Sequence, residues 1–409
     1  MTEKKASLYI HIPYCISKCR YCDFFSRPCN KTVPDDYIKA LANELQYRFA
    51  HYDCAAIDTV YVGGGTPSLL SSAQIKSLFD SIRAIKPFTE NAEINFEVNP
   101  DDINVEILLA LEAAGVNRLS CGIQSMNQKV LEYAGRRASQ SVNHTALKLL
   151  QQSWHKKLSL DLISALPYET KETFMQALQE VIAAGPDHIS MYSLTIEEKT
   201  PFGKDLESGV LEYDFEQADA LWLFARDYLE SHGYPQYEVS NFAAPENRCR
   251  HNLVYWNHGD YIGAGSGATG TIYNKDGTGL RWTNTLDVEK YIQFWKNWND
   301  SSGANLKETS QPQSQTPPQP QLQTTEHLSL ETSEFEFFMM SLRKADGFSE
   351  SDFTRCFNKP LPQKFLEVYV RWQEKGIAEK NVNDASHNTT YHLNKQGLLF
   401  LNTFLEELI

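Results

Sequence analysis

The sequence lacks any apolar run near the roughly 20 residues that a helix needs to cross a lipid bilayer. Its first residues also lack the apolar core and cleavage site of a signal peptide, since a cysteine-rich stretch begins at Cys15. The eight cysteines are too few in a chain of 409 residues for a disulfide framework, and three of them are clustered. These absences predict a protein of the reducing cytoplasm.

Positive charge is also scarce. Lysine and arginine number 38 against 52 aspartates and glutamates, which gives a formal net charge of −14. An excess of negative charge repels phosphate backbones, so non-specific binding to nucleic acid is not expected. The composition, 42% hydrophobic and 22% charged, is that of an ordinary globular protein, and the length is enough for two or three domains.

A cluster of cysteines near the N-terminus is the most informative feature. Leu8–Ile12 has the pattern of a short apolar strand, and Cys15, Cys19 and Cys22 follow it with the spacing C-x3-C-x2-C. Thiolates on one loop favour zinc, Cu(I) or an iron–sulfur cluster. A cubane cluster ordinarily takes four cysteines, so three ligands leave one iron open to a substrate or cofactor. Zinc with a histidine such as His11 as fourth ligand is the alternative, although zinc sites usually use two separated ligand pairs.

From the N-terminus to about residue 242, short β-rich runs alternate with amphipathic helical stretches. This alternation is typical of parallel βαβ units, and six units predict an α/β fold with an incomplete, TIM-like (β/α)6 barrel. An open doubly wound sheet is the alternative. The predicted strands are Leu8–Ile12, Asp58–Val62, Glu93–Val98, Arg118–Ile123, Leu158–Ile163 and His188–Leu194. The predicted helices are Tyr37–Ala50, Ala73–Ile85, Val105–Ala114, Ala146–Ser153 and Thr173–Ala184.

Polar residues fall at the ends of the predicted strands, where a parallel barrel places its functional groups. Gly63–Gly65 follows the second strand, Glu97 and Gln124 close the third and fourth, and Asp161 lies in the fifth. Their common position predicts one site at that end of the barrel. Each also has a purely structural explanation, because the glycines suit a tight turn and the two carboxylates suit helix caps or ion pairs.

These motifs together resemble the radical S-adenosylmethionine (SAM) domain of the HemN/HemW group. The resemblance rests on Tyr9, the cysteine loop and the runs GGGTP, EVNP, GIQS, GRR and DLISALP. It implies a [4Fe–4S] cluster on Cys15, Cys19 and Cys22, with SAM bound to the fourth iron. It further implies SAM contacts from Tyr9, Tyr21, Gly64, Gly65, Thr66, Glu97, Gln124, Arg136 and Asp161.

A second family segment follows the barrel, between residues 237 and 270. It is rich in aromatic residues, glycine and histidine, and His251–Trp256 matches the HNxxYW signature of HemW proteins. The resemblance implies haem binding, with His251 as a candidate axial ligand and Tyr255 and Trp256 beside the macrocycle. The alternative is that His251 only forms hydrogen bonds in a packed loop. Because the segment follows the barrel in sequence, haem need not compete with SAM.

Two comparisons with the family pattern bear on function. Coproporphyrinogen oxidases of the HemN type carry a further cysteine two residues after the third, where this chain has Phe24 as HemW proteins do. The family commonly has the run GAHG near residue 270, and this chain has Thr269 in place of its histidine. The first comparison favours a HemW-like protein. The second removes one family histidine as a haem ligand here.

The sequence divides into four predicted parts. Residues 1–242 form the radical SAM barrel, and residues 243–305 form a connecting segment with the HNxxYW signature. Residues 306–327 are rich in proline, glutamine, serine and threonine, which predicts a flexible linker. Residues 328–409 predict a smaller, mostly helical, winged-helix-like domain. Because the net charge is negative, we do not expect this domain to read DNA.

The resemblance implies a cytoplasmic haem chaperone that passes haem to acceptor haemoproteins, such as respiratory enzymes at the membrane. Such a protein carries the cluster and SAM, needs no transmembrane segment of its own, and is compatible with a homodimer. The enzymatic alternative is an oxygen-independent coproporphyrinogen III oxidase, in which a radical derived from SAM abstracts hydrogen from propionate side chains. Phe24 and the HNxxYW segment favour the chaperone.

Overall fold

A computed structural model describes residues 4–30, 32–298, 322–383 and 388–409 of the chain. Six parallel strands, β1–β6, form the middle of its largest sheet. Each strand follows the preceding one both in the chain and in the sheet, as expected when helices return the chain between parallel neighbours. The strands are β1 Lys5–Ile12, β2 Ala56–Gly64, β3 Phe88–Val98, β4 Arg118–Gln124, β5 Lys157–Ser164 and β6 His188–Ser193.

The helices between these strands bury one apolar face each. In the second helix, Ile75, Leu78, Phe79 and Ile82 recur at helical spacing and are buried, and Ser71 begins the helix with a capping box. No helix of the described ranges is both long enough and apolar enough to cross a membrane. The helices are α1 Asp35–His51, α2 Ser72–Ile85, α3 Val105–Ala113, α4 Gln128–Tyr133, α5 Gln140–Ser153, α6 Lys171–Ala183, α7 Pro201–Glu207 and α8 Phe215–Ser231.

Three short strands extend the sheet beyond β1 and β6. On one side β9 (Ile262–Ala264) pairs with β1 in parallel. On the other side β8 (Asn241–Phe242) pairs antiparallel with both β6 and β7 (Gln236–Glu238). Within the described ranges β1 and β6 do not pair with each other, so the barrel stays open. The predicted incomplete barrel is therefore confirmed, and the loops that leave β1–β5 lie at one end of the sheet.

The segment after residue 242 is part of this architecture rather than a connection. It supplies β9 to the main sheet and forms α9 (Arg250–Trp256) on the way. A second, antiparallel sheet then consists of β10 (Thr269–Tyr273), β11 (Gly279–Asn284) and β12 (Gln323–Leu328), while α10 (Val288–Lys296) packs against α1. The predicted boundary at residue 242 is thus too early, because a three-residue strand gives little local signal.

The predicted linker, residues 306–327, is wrong at its C-terminal end. Residues 323–327 belong to β12, which pairs along its whole length with β11. Leu322 and Leu328 are buried there, and the Gln323 side chain accepts a hydrogen bond from Arg48 at 2.9 Å. Two leucines and one satisfied amide therefore anchor a stretch whose composition is mostly polar. Residues 306–321 of the predicted linker lie outside the described ranges.

The C-terminal part has a core of its own, built from aromatic side chains. Phe337, Phe338, Phe365 and Trp372 are buried in it, and the ring centroids of Phe338 and Phe365 are 4.5 Å apart. Its element order agrees with the predicted winged-helix-like domain, and its three strands form one sheet in the order β13-β15-β14. The elements are α11 Leu330–Ser341, β13 Phe348–Ser349, α12 Glu350–Phe357, α13 Gln363–Glu374, β14 Ala378–Asn383, β15 Asn388–Leu393, α14 Lys395–Leu399 and α15 Leu401–Glu406.

A buried ion pair fastens α1 to the segment that follows the barrel. Glu44 is fully buried and pairs with Arg48 at 3.0 Å. Its carboxylate also accepts hydrogen bonds from Asn284 at 2.7 Å, Tyr291 at 2.6 Å and the Gly265 amide at 2.8 Å. Removal of the guanidinium would leave a buried carboxylate without its charge partner, which is costly in a low-dielectric interior.

Arg48→Ala should therefore lower the free energy of unfolding by about 3 kcal/mol, since Glu44 would remain buried without a cation. Urea unfolding followed by circular dichroism measures the change. Lys76→Ala, which breaks the exposed Lys76–Asp80 pair, is the control and should cost less than about 1 kcal/mol. An Arg48→Ala loss no larger than that of the control would contradict the proposed anchoring.

Candidate functional site

The cysteine loop leaves the C-terminal end of β1 and folds back on itself. The Cys22 amide donates to the Cys19 carbonyl at 3.2 Å, and the Cys29 amide donates to the Cys15 carbonyl at 2.9 Å. The three thiols of the motif are partly exposed, and none of the eight cysteines, all of which the structure describes, forms a disulfide. Local contacts therefore hold the three thiols on one accessible loop, as a shared inorganic centre requires.

The histidine considered as a zinc ligand is already engaged. His11 contacts the Tyr9 hydroxyl through Nδ1 at 2.9 Å and the Phe25 carbonyl oxygen through Nε2 at 3.0 Å. A ring nitrogen that binds zinc must give up such a bond, so this geometry disfavours the zinc alternative. Among the described residues no three metal-binding side chains converge on one metal ion. In a cubane cluster each thiolate binds a separate iron, so its ligands stay apart.

Two polar side chains, one just after β2 and one just after α4, reach the cysteine sulfurs. Thr66 Oγ1 donates to Cys15 Sγ at 3.3 Å, and Arg136 Nη1 donates to Cys19 Sγ at 3.6 Å. Arg136 also donates to the Gly122 carbonyl at 2.7 Å, so it is part of the site and not a solvated surface residue. Hydrogen bonds and a positive charge beside a thiol favour its thiolate form, which is the form that binds metal.

The glycine turn after β2 packs closely against β1 and the start of the cysteine loop. Gly64 has a φ of +118°, and a Cβ atom there would lie 2.6 Å from the His11 ring. A Cβ atom at Gly65 would lie 2.7 Å from the Tyr14 carbonyl oxygen, and the Gly65 amide donates to the Ile12 carbonyl at 2.9 Å. Both positions therefore require glycine for the fold itself, before any ligand is considered.

The two carboxylates of the predicted site are half-buried within hydrogen-bond reach of hydroxyl groups. Glu97 accepts a hydrogen bond from the Tyr61 hydroxyl at 2.8 Å, and burial raises its pKa to about 7. Asp161 accepts from Ser120 at 2.7 Å and Ser159 at 3.1 Å, and burial raises its pKa as well. Neither caps a helix nor forms an ion pair within the described ranges. Both retain acceptor capacity for a bound cation or hydroxyl group.

Unpaired polar atoms at the same end of the sheet fit a polar ligand. Gln124 has a left-handed backbone with φ of +66°, and its Oε1 atom is buried without a partner in the described structure. The Nε atom of Arg136 is also buried without a hydrogen-bond partner in the described structure. Buried polar atoms cost free energy when unpaired, and strained backbone is concentrated at ligand sites. Together with the thiols and carboxylates, these atoms suit a cluster that carries SAM.

The two tyrosines expected beside SAM lie in different places. Tyr21 packs near Phe202 beside the cysteine loop, with ring centroids 6.5 Å apart, and burial raises its pKa. Tyr9 stacks on Tyr61, the residue that donates to Glu97, with centroids 6.3 Å apart. Tyr9 also lines a cavity beside the cysteine loop. It therefore stands between the expected SAM site and that cavity.

This cavity has a volume of about 450 Å³, and we call it the aromatic cavity. Its walls come from β1, the cysteine loop, the end of α9, the second sheet and α11. Phe24 is 74% exposed, so the loop leaves a large apolar side chain uncovered at this cavity. Such a mainly apolar pocket is the usual form of a site for a flat hydrophobic ligand. The aromatic lining residues are Tyr9, His11, Phe24, Phe25, Tyr255, Trp256, Tyr261 and Tyr273.

His251 lies behind this cavity and not on its wall. Its ring is fully buried, with Nδ1 2.8 Å from the Thr59 hydroxyl and Nε2 2.8 Å from the Tyr255 hydroxyl. The His251 amide donates to Glu93 at 2.9 Å, and burial lowers the pKa of the ring to about 3. This geometry favours the alternative in which His251 forms hydrogen bonds in a packed segment. Tyr255 and Trp256 do reach the cavity.

Several cavity residues carry little functional signal in the sequence. Met340 belongs to the apolar stretch of α11, a pattern that indicates core packing, and Arg281 is one polar residue in β11. Tyr261 lies in the aromatic-rich segment 237–270, and Tyr273 lies just after it. Phe24 was informative only as a replacement for the HemN-type cysteine. The fold brings these distant parts of the chain together, which local spacing does not reveal.

Comparisons with known proteins agree with this geometry. Residues 9–181 match the Radical SAM superfamily. The chain is 35% identical to the heme chaperone HemW of Escherichia coli (strain K12), over 98% of this chain and 97% of that protein. It is 34% identical to heme chaperone HemW of Bacillus subtilis (strain 168), over 98% and 100%. The solved structure of coproporphyrinogen III oxidase (HemN) from Escherichia coli is similar in fold, with a TM-score of 0.77, 21% identity, and coverage of 99% and 90%.

Each of the variants Cys15→Ser, Cys19→Ser and Cys22→Ser should lose the cubane cluster, because three thiolates leave no spare ligand. Iron and sulfide analysis after anaerobic reconstitution measures this loss. Cys29→Ser is the matched control, since Cys29 lies beside Cys15 in the fold but outside the motif, and it should keep a full cluster. A full cluster in any of the three motif variants would refute the ligand assignment.

The pKa of Glu97 predicts a pH-dependent contribution to stability. In the folded chain the Glu97 carboxyl group keeps its proton up to a pH of about 7, whereas its ordinary pKa is 4.5. The contribution of this group to the free energy of unfolding is therefore present at acidic pH and is lost as the pH rises through 7. Glu97→Gln should not suffer this loss. Urea unfolding at about pH 5 and about pH 8.5 measures the difference. Between these two pH values the free energy of unfolding should fall by ~2 kcal/mol more for wild type than for the variant.

The control for this titration is Glu207→Gln, which removes an exposed carboxyl group at the end of α7. Its unfolding free energy should differ from wild type by the same amount at both pH values. If the difference in unfolding free energy between Glu97→Gln and wild type is also the same at both pH values, the raised pKa of Glu97 is contradicted. The measurement uses the chain before cluster reconstitution, so that ligand binding does not add to the stability.

Proposed function

The chain belongs to the HemW family of haem chaperones within the radical SAM superfamily, and we propose that it binds haem in the aromatic cavity and passes it to acceptor haemoproteins. Relatives at least 34% identical over nearly the whole chain support this function. Haem is then a cargo, so its site must hold the ring during transport and release it to an acceptor. An open cavity with an exposed phenylalanine at the cysteine loop suits both needs.

The observation that carries the proposal is that the HNxxYW segment and the cysteine loop line the same cavity. Tyr255 and Trp256 come from the first, and Phe24 and Phe25 come from the second. Contact with a porphyrin face would remove apolar surface from water on both, which is worth about 25 cal/mol per Å². Arg281 also lines the cavity and supplies a positive charge. Its Nη2 atom donates a hydrogen bond to the Glu336 carboxylate at 2.6 Å.

The radical SAM family implies a [4Fe–4S] cluster and SAM. We assign the cluster to Cys15, Cys19 and Cys22, whose loop and sulfur contacts fit it. When bound, such a cluster offers an open iron to SAM and an electron for its reductive cleavage. Thr66 and Arg136 would steady two of the thiolates through the hydrogen bonds that they already donate.

We assign SAM to the end of the sheet beside the cysteine loop. There the half-buried carboxylates would accept hydrogen bonds from amino and hydroxyl groups, and the glycine turn would allow close backbone approach. Tyr21 would pack at the loop, and Tyr9 would border both SAM and the aromatic cavity. The residues assigned to SAM are Tyr9, Tyr21, Gly64, Gly65, Thr66, Glu97, Gln124, Arg136 and Asp161.

A coproporphyrinogen III oxidase activity is the alternative, and it has weaker support. The Escherichia coli oxidase resembles this chain in fold, but at 21% identity the likeness concerns the fold alone. Phe24 stands where HemN-type proteins carry a cysteine, and its side chain lines the aromatic cavity instead of offering a thiol. This replacement favours carriage of a tetrapyrrole over its oxidation.

The acceptor and the compartment follow from the same chemistry. We place the protein in the cytoplasm, because a cluster on three cysteines needs thiols that stay reduced. The acceptors are haemoproteins, including those of the respiratory membrane, and nucleic acid is not a partner of a chain with a net charge of −14.

Phe24→Ala and Trp256→Ala should each weaken haem binding about tenfold, because each removes aromatic surface from the cavity wall. Titration of haem into the reconstituted chain, followed by absorbance, measures the affinity. Phe215→Ala removes another exposed phenylalanine outside the cavity and should bind haem as wild type does. Equal affinities for wild type and both cavity variants would place haem elsewhere.

Product analysis separates the two functions. The reconstituted chain is incubated anaerobically with coproporphyrinogen III, SAM and a reductant, and in parallel the haem-loaded chain is mixed with an apo-haemoprotein. A chaperone should transfer haem without decarboxylating the porphyrinogen. Decarboxylation with turnover, together with no haem transfer, would overturn the chaperone in favour of the oxidase.

A further inference from the structure

Of the histidine and the tyrosine in the HNxxYW signature, only the tyrosine lines the aromatic cavity. His251 and Tyr255 are four residues apart on α9, so their side chains lie on the same face of the helix. The Tyr255 hydroxyl is 2.8 Å from His251 Nε2. His251 is fully buried behind this contact. A ligand in the cavity therefore meets the phenol of Tyr255 before it could meet the imidazole.

Both nitrogens of His251 are committed to neighbouring side chains. Nδ1 is 2.8 Å from the Thr59 hydroxyl, and Nε2 is 2.8 Å from the Tyr255 hydroxyl. If the phenol donates to Nε2, the ring proton is on Nδ1 and is donated to Thr59 Oγ1. This arrangement directs the proton of Tyr255 at His251. The phenolic oxygen keeps its lone pairs for another partner.

A second and independent observation comes from the next residue. Trp256 Nε1 is buried and has no hydrogen-bond partner among the described residues. A buried N–H group without a partner costs free energy, so a ligand with an acceptor group in the adjoining cavity would relieve that cost. Haem has such acceptors in its two propionates. The cavity thus offers an oxygen ligand and an unsatisfied donor on successive residues.

We propose that Tyr255 is the axial ligand of ferric haem, bound through its phenolate oxygen, and that His251 is a positioning residue that accepts the phenolic proton. The inference rests on the proposed haem-carrying function and names the iron ligand of that site. Tyrosinate is an established axial ligand of haem iron. The proposal also assigns a role to both the tyrosine and the histidine of the signature, since His251 acts on the iron only through Tyr255.

The binding step balances without an added reactant. The O–H bond of Tyr255 breaks, an Fe–O bond forms, and the proton moves along the existing hydrogen bond to His251 Nε2. Formation of the bond between the phenolate and ferric iron drives this transfer against the low pKa of the buried imidazole. Thr59 Oγ1 then accepts a hydrogen bond from Nδ1–H of the imidazolium. Iron stays ferric throughout. On release the Fe–O bond breaks and the proton returns to the phenol, which suits a carrier that must give up its cargo.

A second tyrosine–histidine pair lines the same cavity and serves as an internal comparison. The Tyr9 hydroxyl is 2.9 Å from His11 Nδ1, and His11 Nε2 donates to the Phe25 carbonyl at 3.0 Å. This second pair is tied to the backbone of the cysteine loop, whereas the residue directly after Tyr255 carries the unpaired indole N–H group. The observations therefore favour Tyr255 over Tyr9.

The test compares ferric haem with metal-free protoporphyrin IX on the full, reconstituted chain. Metal-free porphyrin can stack in the cavity but cannot form an iron–oxygen bond. Tyr255→Phe should weaken ferric haem binding about tenfold or more while binding of metal-free porphyrin changes less than about twofold. Tyr234→Phe, which removes a half-buried hydroxyl bonded to the Pro186 carbonyl, is the matched control and should bind both as wild type does.

Spectroscopy supplies the second readout. Wild type should show iron–phenolate vibrations in the resonance Raman spectrum of bound ferric haem, and Tyr255→Phe should lose them. His251→Ala should keep these vibrations at a shifted frequency, because only the hydrogen bond to the phenolate is removed. Cluster content measured in every variant verifies that the fold is intact.

Three results would overturn the inference. The first is coupling of the haem iron to an imidazole nitrogen in the paramagnetic resonance spectra of wild type. The second is equal loss of haem and metal-free porphyrin in Tyr255→Phe, which would make Tyr255 a packing residue only. The third is loss of the phenolate vibrations in Tyr9→Phe in place of Tyr255→Phe. Failure of wild type to bind either porphyrin would instead refute the haem-carrying function, and this inference with it.

Discussion

The structure depends on the alternation of side chains along β1. Leu8, Ile10 and Ile12 point to one face and are fully buried in the core, whereas Tyr9 and His11 point to the other face. The strand lies between β9 and β2, and its C-terminal end carries the cysteine loop. This one strand therefore lies inside the sheet, positions the cysteine loop and forms a wall of the aromatic cavity. A shift of one residue in its pairing would exchange the two faces and remove all three functions.

This constraint makes the proposed cluster site and the proposed haem site neighbours. Tyr61, on β2 beside β1, donates to Glu97 at 2.8 Å, and its ring centroid is 5.3 Å from that of His251. His11 is in contact with the backbone of Phe25 in the cysteine loop. The sequence suggested that haem need not compete with SAM because the HNxxYW segment follows the barrel. In the fold, β9 returns that segment to β1. The aromatic cavity proposed for haem therefore lies beside the residues proposed for SAM, and Tyr9 borders both.

Local patterns were enough to predict the barrel and the cysteine loop. Helix α2 buries residues at a helical period that is visible in the chain, strand β4 is a short run of mostly buried residues, and the spacing of Cys15, Cys19 and Cys22 needs no tertiary contact. The predicted boundary at residue 242 and the predicted end of the linker were wrong because local patterns do not show them. Ile262–Ala264 and Gln323–Leu328 are short strands whose pairing is set by partners far away in sequence. Composition alone does not indicate that a polar stretch carries two buried leucines.

Site chemistry was predictable as residue types but not as contacts. The resemblance named His251, yet only the fold places its two ring nitrogens against Thr59 and Tyr255. The raised pKa of Glu97 is likewise a result of burial, which the motif EVNP does not encode. Met340 reads as a core residue in the apolar stretch of α11, and it becomes a cavity residue only because the C-terminal domain packs beside the cysteine loop.

The central claim is that cluster and haem occupy adjoining but separate places along β1. Iron-edge anomalous diffraction from crystals of the reconstituted, haem-loaded chain tests it most directly. The account predicts one group of iron atoms at the loop of Cys15, Cys19 and Cys22, and a single further iron in the aromatic cavity beside Tyr255. A haem iron found at the strand ends beside Glu97, or against the C-terminal domain away from the cavity, would contradict it.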